Sequence, residues 1–168
     1  MRKATIHWRS GLLVAGLLAL AFAAIGARCP LTLYVLEKNS AWIEGCVEGP
    51  CLCPISQAPL AGSFRLERLP SMEPGPERLF EISSIRWRIG TGEDAPQVTG
   101  SGFYSTSAPV LDEQQLVLDL EIDGVPMERI DSGVVAGGFA FPRIEIQGLT
   151  PGYCYQSGVI LQAASVGR

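Results

Sequence analysis

From Leu31 onward, apolar and polar residues alternate with a period of two almost throughout, the pattern of strands that bury one face. Leu31 to Leu36 is rich in β-formers and reads as a first strand; Ala41 to Val47 reads as a second, after a turn at Glu37 to Ser40. Pro54 to Pro59 carries two prolines and reads as a loop. Ser63 to Arg68 alternates with Phe64 and Leu66 inward, and Leu69 to Glu77, with three prolines and a glycine, reads as an irregular connection. Leu79 to Ile89 is a long strand whose inward set begins as Phe80 and Ile82 and resumes as Ile85, Trp87 and Ile89. The phase slips at Ser83-Ser84, so a β-bulge is expected there. After a polar turn at Gly90 to Pro96 comes a strand at Val98 to Tyr104.

In the next strand Leu116, Leu118, Leu120 and Ile122 face one way, and Val117, Asp119, Glu121 and Asp123 the other. Asp123-Gly124 signals a type I′ hairpin turn, because both central positions need positive φ. Val125 to Ile130 returns, with Pro126 at an edge or at the strand's start. A glycine-rich patch (Gly133, Gly137, Gly138) follows, then a strand at Phe141 to Ile146, a turn at Thr150-Pro151-Gly152 and a last strand at Tyr153 to Leu161. About eight to ten short strands with no amphipathic helix predict an all-β, single-domain antiparallel β-sandwich or barrel.

Ahead of this domain, Arg2, Lys3 and Arg9 precede an uncharged apolar run, Gly11 to Ile25, and then the small residues Gly26 and Ala27. That order predicts a signal peptide over residues 1–27 and a secreted or periplasmic domain over 28–168, with no membrane span in the mature form. An uncleaved anchor is the alternative, since Gly11 to Ala27 is 17 residues, at the lower limit for crossing a bilayer of about 30 Å. Lipidation of Cys29 is disfavoured by Arg28 directly before it.

Loss of residues 1–27 leaves 10 Lys+Arg against 17 Asp+Glu, a net charge of −7, with no basic cluster to attract nucleic acid. The one histidine, His7, lies in the signal peptide, so the mature chain has none. That excludes Ser-His-Asp and Cys-His catalysis and histidine-ligated metals. Lys38 is its single lysine, and Asn39, followed by Ser40-Ala41, opens no glycosylation sequon.

Chemistry concentrates in the cysteines. Cys46, Cys51 and Cys53 fall within eight positions, and Cys154 lies near the far end of the chain. In an oxidising compartment these are disulfides by default. A Cys51–Cys53 bond would close a very tight ring. Two pairings remain: Cys46–Cys51 with Cys53–Cys154, or Cys46–Cys53 with Cys51–Cys154. Cys29 is left over. The functional alternative for the same four thiols is a zinc or Cu(I) site, or redox exchange; no Met or His sits in the cluster, and it opens no helix as a thioredoxin-type site would.

Other candidates carry less. Asp119 and Glu121 share a strand face and are the first suspects for carboxylate-based hydrolysis, set against an ordinary solvated face. Gly92-Glu93-Asp94 and Asp112-Glu113 match no EF-hand spacing, and Gly100-Ser101-Gly102 is no nucleophile elbow. Arg65, Arg68, Arg86 and Arg88 read as exposed arginines that pair with acidic strands across the sheet, or as an anion-binding face.

The segments Glu44-Gly45-Cys46, Pro50-Cys51-Leu52-Cys53-Pro54-Ile55, Gly62-Ser63-Phe64, Asp131-Ser132-Gly133 and Tyr153-Cys154-Tyr155 together resemble a pattern in uncharacterised secreted bacterial β-proteins. The resemblance spans most of the mature chain and implies no activity. Tyr34-Val35-Leu36-Glu37 with Ser40 and Gly62-Ser63-Phe64 is similar to the opening of the YceI-like lipid-binding barrels, which would imply an apolar cavity; the cysteine knot is not part of that pattern. The leading expectation is therefore a non-enzymatic binding or envelope-associated structural module. An apolar-ligand (lipid or isoprenoid) carrier, a carboxylate hydrolase and a thiolate metal or redox site are the alternatives. No pattern names a cofactor, ligand, partner or oligomeric state.

Overall fold

The alternation builds β1 (Thr32–Leu36), β2 (Ala41–Gly45), β3 (Ser56–Arg68), β4 (Arg78–Ile89), β5 (Gln97–Thr106), β6 (Glu113–Ile122), β7 (Val125–Pro126), β8 (Ile130–Asp131), β9 (Val135–Ala136), β10 (Ile144–Leu149) and β11 (Gln156–Ser165). The structure, a computed structural model, describes residues 31–70, 77–108 and 110–167. The expected signal peptide, Cys29 and most of the proline-rich connection after β3 lie outside the described residues.

Every pairing is antiparallel. β3 to β6 form a meander, β6 meets β7, β8 and β9 in succession, and β8 leads through β10 to β11. β1 and β2 each pair with both β11 and β3, so they are two halves of one strand position interrupted at Glu37 to Ser40. That double pairing closes the sheet into a barrel of eight strand positions and decides barrel over sandwich.

A barrel of this size is just wide enough for its side chains, or for one small ligand. Here Trp87, Tyr34, Tyr104, Phe64, Ile82, Ile85, Leu116 and Leu118 are fully buried and fill it. Tyr34 stacks on Phe64 at 5.3 Å between ring centroids, and Phe64 meets Trp87 edge-on at 6.2 Å. Trp87 Nε1 is a buried donor without a partner among the described residues.

The phase slip in β4 is a bulge, as expected. The register with β5 jumps from Ile82↔Gly102 to Ile85↔Gly100, Ser84 takes φ 53°, and Phe80, Ile82, Ile85 and Trp87 all face inward. Asp123 and Gly124 have φ 51° and 80°, the hairpin turn read from their sequence.

Three expectations are corrected. Ser56 to Pro59 is strand, not loop: Pro59 lies opposite Ala41, and its carbonyl accepts from Gly90 N at 2.7 Å, just past the end of β4. Its missing N–H thus falls where the β3–β4 ladder has already run out. The penultimate strand begins at Ile144, not Phe141, because Ala140 O accepts from Arg143 N in a turn that holds Phe141 against Phe80 and Tyr104. The last strand begins at Gln156, not Tyr153, because Cys154 is tied away from the sheet.

The barrel has one weak seam. β8 and β10 share a single register pair, Asp131↔Leu149. Farther along, the Gln114 side chain spans the gap. Its amide donates to Glu145 O at 2.8 Å, and its Oε1 accepts from Tyr104 O–H at 3.0 Å.

Candidate functional site

β2 ends at Gly45, whose φ of 136° and close approach to the returning chain leave no room for a side chain; a Cβ there would lie 2.3 Å from Pro54 O. Cys46 and Cys53 then join as one disulfide, and Cys51 and Cys154 as the other. Of the two open pairings the fold selects the one that bonds the inner cysteine of the pair to Cys154. All four sulfurs are engaged in bonds, the state expected in an oxidising, extracytoplasmic environment.

The second bond clamps the β2–β3 loop onto the β10–β11 loop. Their backbones touch: a Cβ on Gly49 would lie 2.5 Å from Tyr153 O, and Glu48 N donates to the buried Gln156 Oε1 at 2.9 Å. The clamp leaves Leu52 (102% exposed), Tyr153 (79%), Tyr155 (63%) and Ile55 (57%) facing solvent on two loops that cannot separate.

Beside these loops, over the seam, lies an open cleft of about 730 Å³. Arg129, Asp131 and Ser132 at β8, Gln147 on β10, and Glu48, Pro151, Gly152 and Gln156 at the clamped loops are among the residues that line it. Its β8 wall is fixed by local bonds. Asp131 Oδ1 accepts from Gln115 Nε2 at 3.0 Å and Gly133 N at 2.8 Å, while Ser132 Oγ accepts from Leu116 N at 2.9 Å. Arg129 holds Asp119 in a two-point ion pair at 2.8 and 2.9 Å. The hydrogen bond and charge of Asp119, with Asp131 nearby, push the exposed guanidinium further up from its ordinary value.

Four of the five segments that carry the sequence resemblance gather at this end of the barrel: those around Cys46, Cys51–Cys53, Asp131 and Cys154. The fifth, Gly62-Ser63-Phe64, is wall. Gly62 passes so near β4 that a Cβ would lie 2.1 Å from Arg86 O. Asp119 is engaged by Arg129 on the outer face, and Glu121 lies two residues along the same face, opposite Thr99 and Pro126. The strand arginines do not pair with the acidic strand. Arg86 and Arg88 sit opposite Thr99 and Gln97, so β5 separates them from β6. Among the described residues the ion pairs are Arg129–Asp119 and Arg143–Glu37. No group of three or more His, Cys, Asp or Glu among the described residues could hold a metal ion.

Sequence reasoning missed Arg129, Gln147, Glu48 and Gln156, because the cleft exists only where the β7–β9 stretch fails to pair fully with β10; that twelve-residue stretch, broken by Pro126 and Gly133, carries no period that marks it. No protein-family model, curated protein or solved structure matches this chain.

Proposed function

We propose that this chain is a non-enzymatic binding module that works outside the cytoplasm and engages its partner through the clamped loops and the adjoining cleft. The observation that carries the reading is the exposure of Leu52, Tyr153 and Tyr155 on a surface locked by two disulfides. Rigid tyrosines give large contact area at little entropic cost, and an immobile loop has little freedom left to lose on binding. The cleft supplies polar edges in Arg129, Asp131 and Gln147. The paired Asp119 and the absence of histidine from residues 28–168 both argue against turnover.

The test is photo-crosslinking from position 153 in the producing cells, with adducts identified by mass spectrometry. One recurring adduct, lost when Leu52→Ser and Tyr155→Ser are added, is expected. Equal adducts with that variant, or a hydrolytic or redox turnover that depends on one named side chain, would overturn the reading.

A further inference from the structure

The barrel's other end, where β1 begins and β11 finishes, has a different surface. Every described loop or terminus there, apart from the short pieces around the proline-rich connection, carries a large apolar residue in solvent. These are Leu31 (47% exposed) before β1, Val110 (70%) and Leu111 (51%) between β5 and β6, Phe139 (61%) between β9 and β10, and Val166 (50%) after β11. The two loops adjoin, since Gly137 N donates to Asp112 O at 3.0 Å. The Phe139 loop is held rigidly: Phe141 packs at 5.0 Å on Phe80 and 6.1 Å on Tyr104, and Phe141 N donates to Gly138 O at 3.0 Å. Phe139 therefore stays in solvent while its neighbour plugs the barrel.

Position along the chain says what this surface meets. Leu31 lies four residues after Ala27, the last of the small residues that follow the uncharged apolar run. Four residues reach at most roughly 14 Å, so in the uncleaved form, on which this inference rests, a membrane that holds residues 11–27 lies at this end of the barrel. The barrel's flanks do not suit lipid, because Arg65, Glu67, Glu81, Arg86 and Arg88 project from them. Contact would be end-on. The net charge of −7 after residue 27 and the exposed Glu77 and Asp112 near this end disfavour anionic lipid, which leaves a zwitterionic surface.

We propose that this end is a bilayer-docking surface, with Val110, Leu111 and Phe139 seated in the interface of a zwitterionic membrane. Burial of the three exposed side chains among headgroups and upper acyl chains is the driving force. It is independent of the clamped-loop site, which then points away from the bilayer.

The experiment uses the full chain in phosphatidylcholine vesicles doped with a phosphatidylcholine whose tail carries a diazirine. After irradiation, adducts are mapped by mass spectrometry. Adducts are expected on residues 107–112 and 137–143, and the combined Val110→Ser, Leu111→Ser and Phe139→Ser variant lowers them by about tenfold. Since all three side chains are exposed, the variant keeps the fold, which an unchanged thermal midpoint verifies. Adducts confined to residues 11–27, adducts on the disulfide loops, or equal yield from the variant would overturn the proposal. So would a vesicle-independent dimer that the same variant dissolves, because the surface would then meet a second copy.

Discussion

The two ends of this barrel solve the same problem by different means. At the disulfide end the connections are glycine- and proline-containing loops with little to bury. Their order comes from the Cys46–Cys53 and Cys51–Cys154 bonds, which restrict the unfolded chain rather than add contacts. At the other end no described loop is crosslinked. Order there comes from packing, with Phe141 folded over Phe80 and Tyr104 and Gln114 bridging the seam. Both ends expose large apolar side chains, but one presents two tyrosines with Leu52 and Ile55 beside a polar cleft and the other Val110, Leu111 and Phe139 around a plugged mouth. A covalent clamp lets a loop remain fixed while its side chains face outward; a packed loop must give up one aromatic residue to the core to hold another in solvent.

The largest expected effect comes from cutting the long clamp. Cys51→Ser with Cys154→Ser opens a bridge that spans 103 residues and should cost roughly 4–5 kcal/mol of stability, against about 2.5 kcal/mol for Cys46→Ser with Cys53→Ser, whose partners are 7 apart. Denaturant titration of both variants measures the difference. Equal losses would show that the clamp acts locally and not through the unfolded chain.

A smaller effect is expected at the packed end. Phe141→Ala should cost about 2 kcal/mol, since a partly buried ring leaves a shallower cavity than a core phenylalanine. Amide exchange should then accelerate in residues 137–143 and remain unchanged in the clamped loops. Faster exchange at both ends would mean that the barrel opens as one unit.

The smallest effect concerns Tyr104. Tyr104→Phe leaves Gln114 Oε1 without its donor and should cost about 1 kcal/mol. Burial pushes the Tyr104 phenol up to about 12, opposed by a hydrogen bond from the Thr106 side chain and reinforced by Tyr34. Its folded value lies above its unfolded value of 10.0, so the native state holds this proton more tightly. The associated stability is complete below pH 10 and is lost as pH rises towards about 12. Denaturation midpoints across that window should fall in the native protein and fall less in Tyr104→Phe, where Tyr34, whose phenol burial also raises, keeps part of the slope. Identical slopes would remove Tyr104 from the seam's support.

Much of the wall was legible in residue order. The inward set of β4, including its slip at Ser83-Ser84, and the Asp123-Gly124 turn follow from local sterics and from which face must leave water. The strand at Ser56 to Pro59 was not legible, because a proline is tolerated only where the neighbouring ladder ends, and that depends on the length of β4. The same holds for the clamped site. The cysteines identified the loops, but nothing local distinguished Cys51 from Cys53 as the partner of Cys154, and nothing marked Arg129 or Gln147 as cleft residues.

By itself, then, the sequence determined an all-β wall and its bulge, because period-two burial and turn stereochemistry act between near neighbours. It also determined that no histidine follows His7, since composition alone decides that. Only the tertiary structure decided closure into a barrel, through the double pairing of β1 and β2 with β11 and β3; the disulfide connectivity; and the opposite character of the two ends. Each of these joins residues far apart in the chain. Their meeting is set by the summed registers of eight strand positions, a quantity that no local window contains.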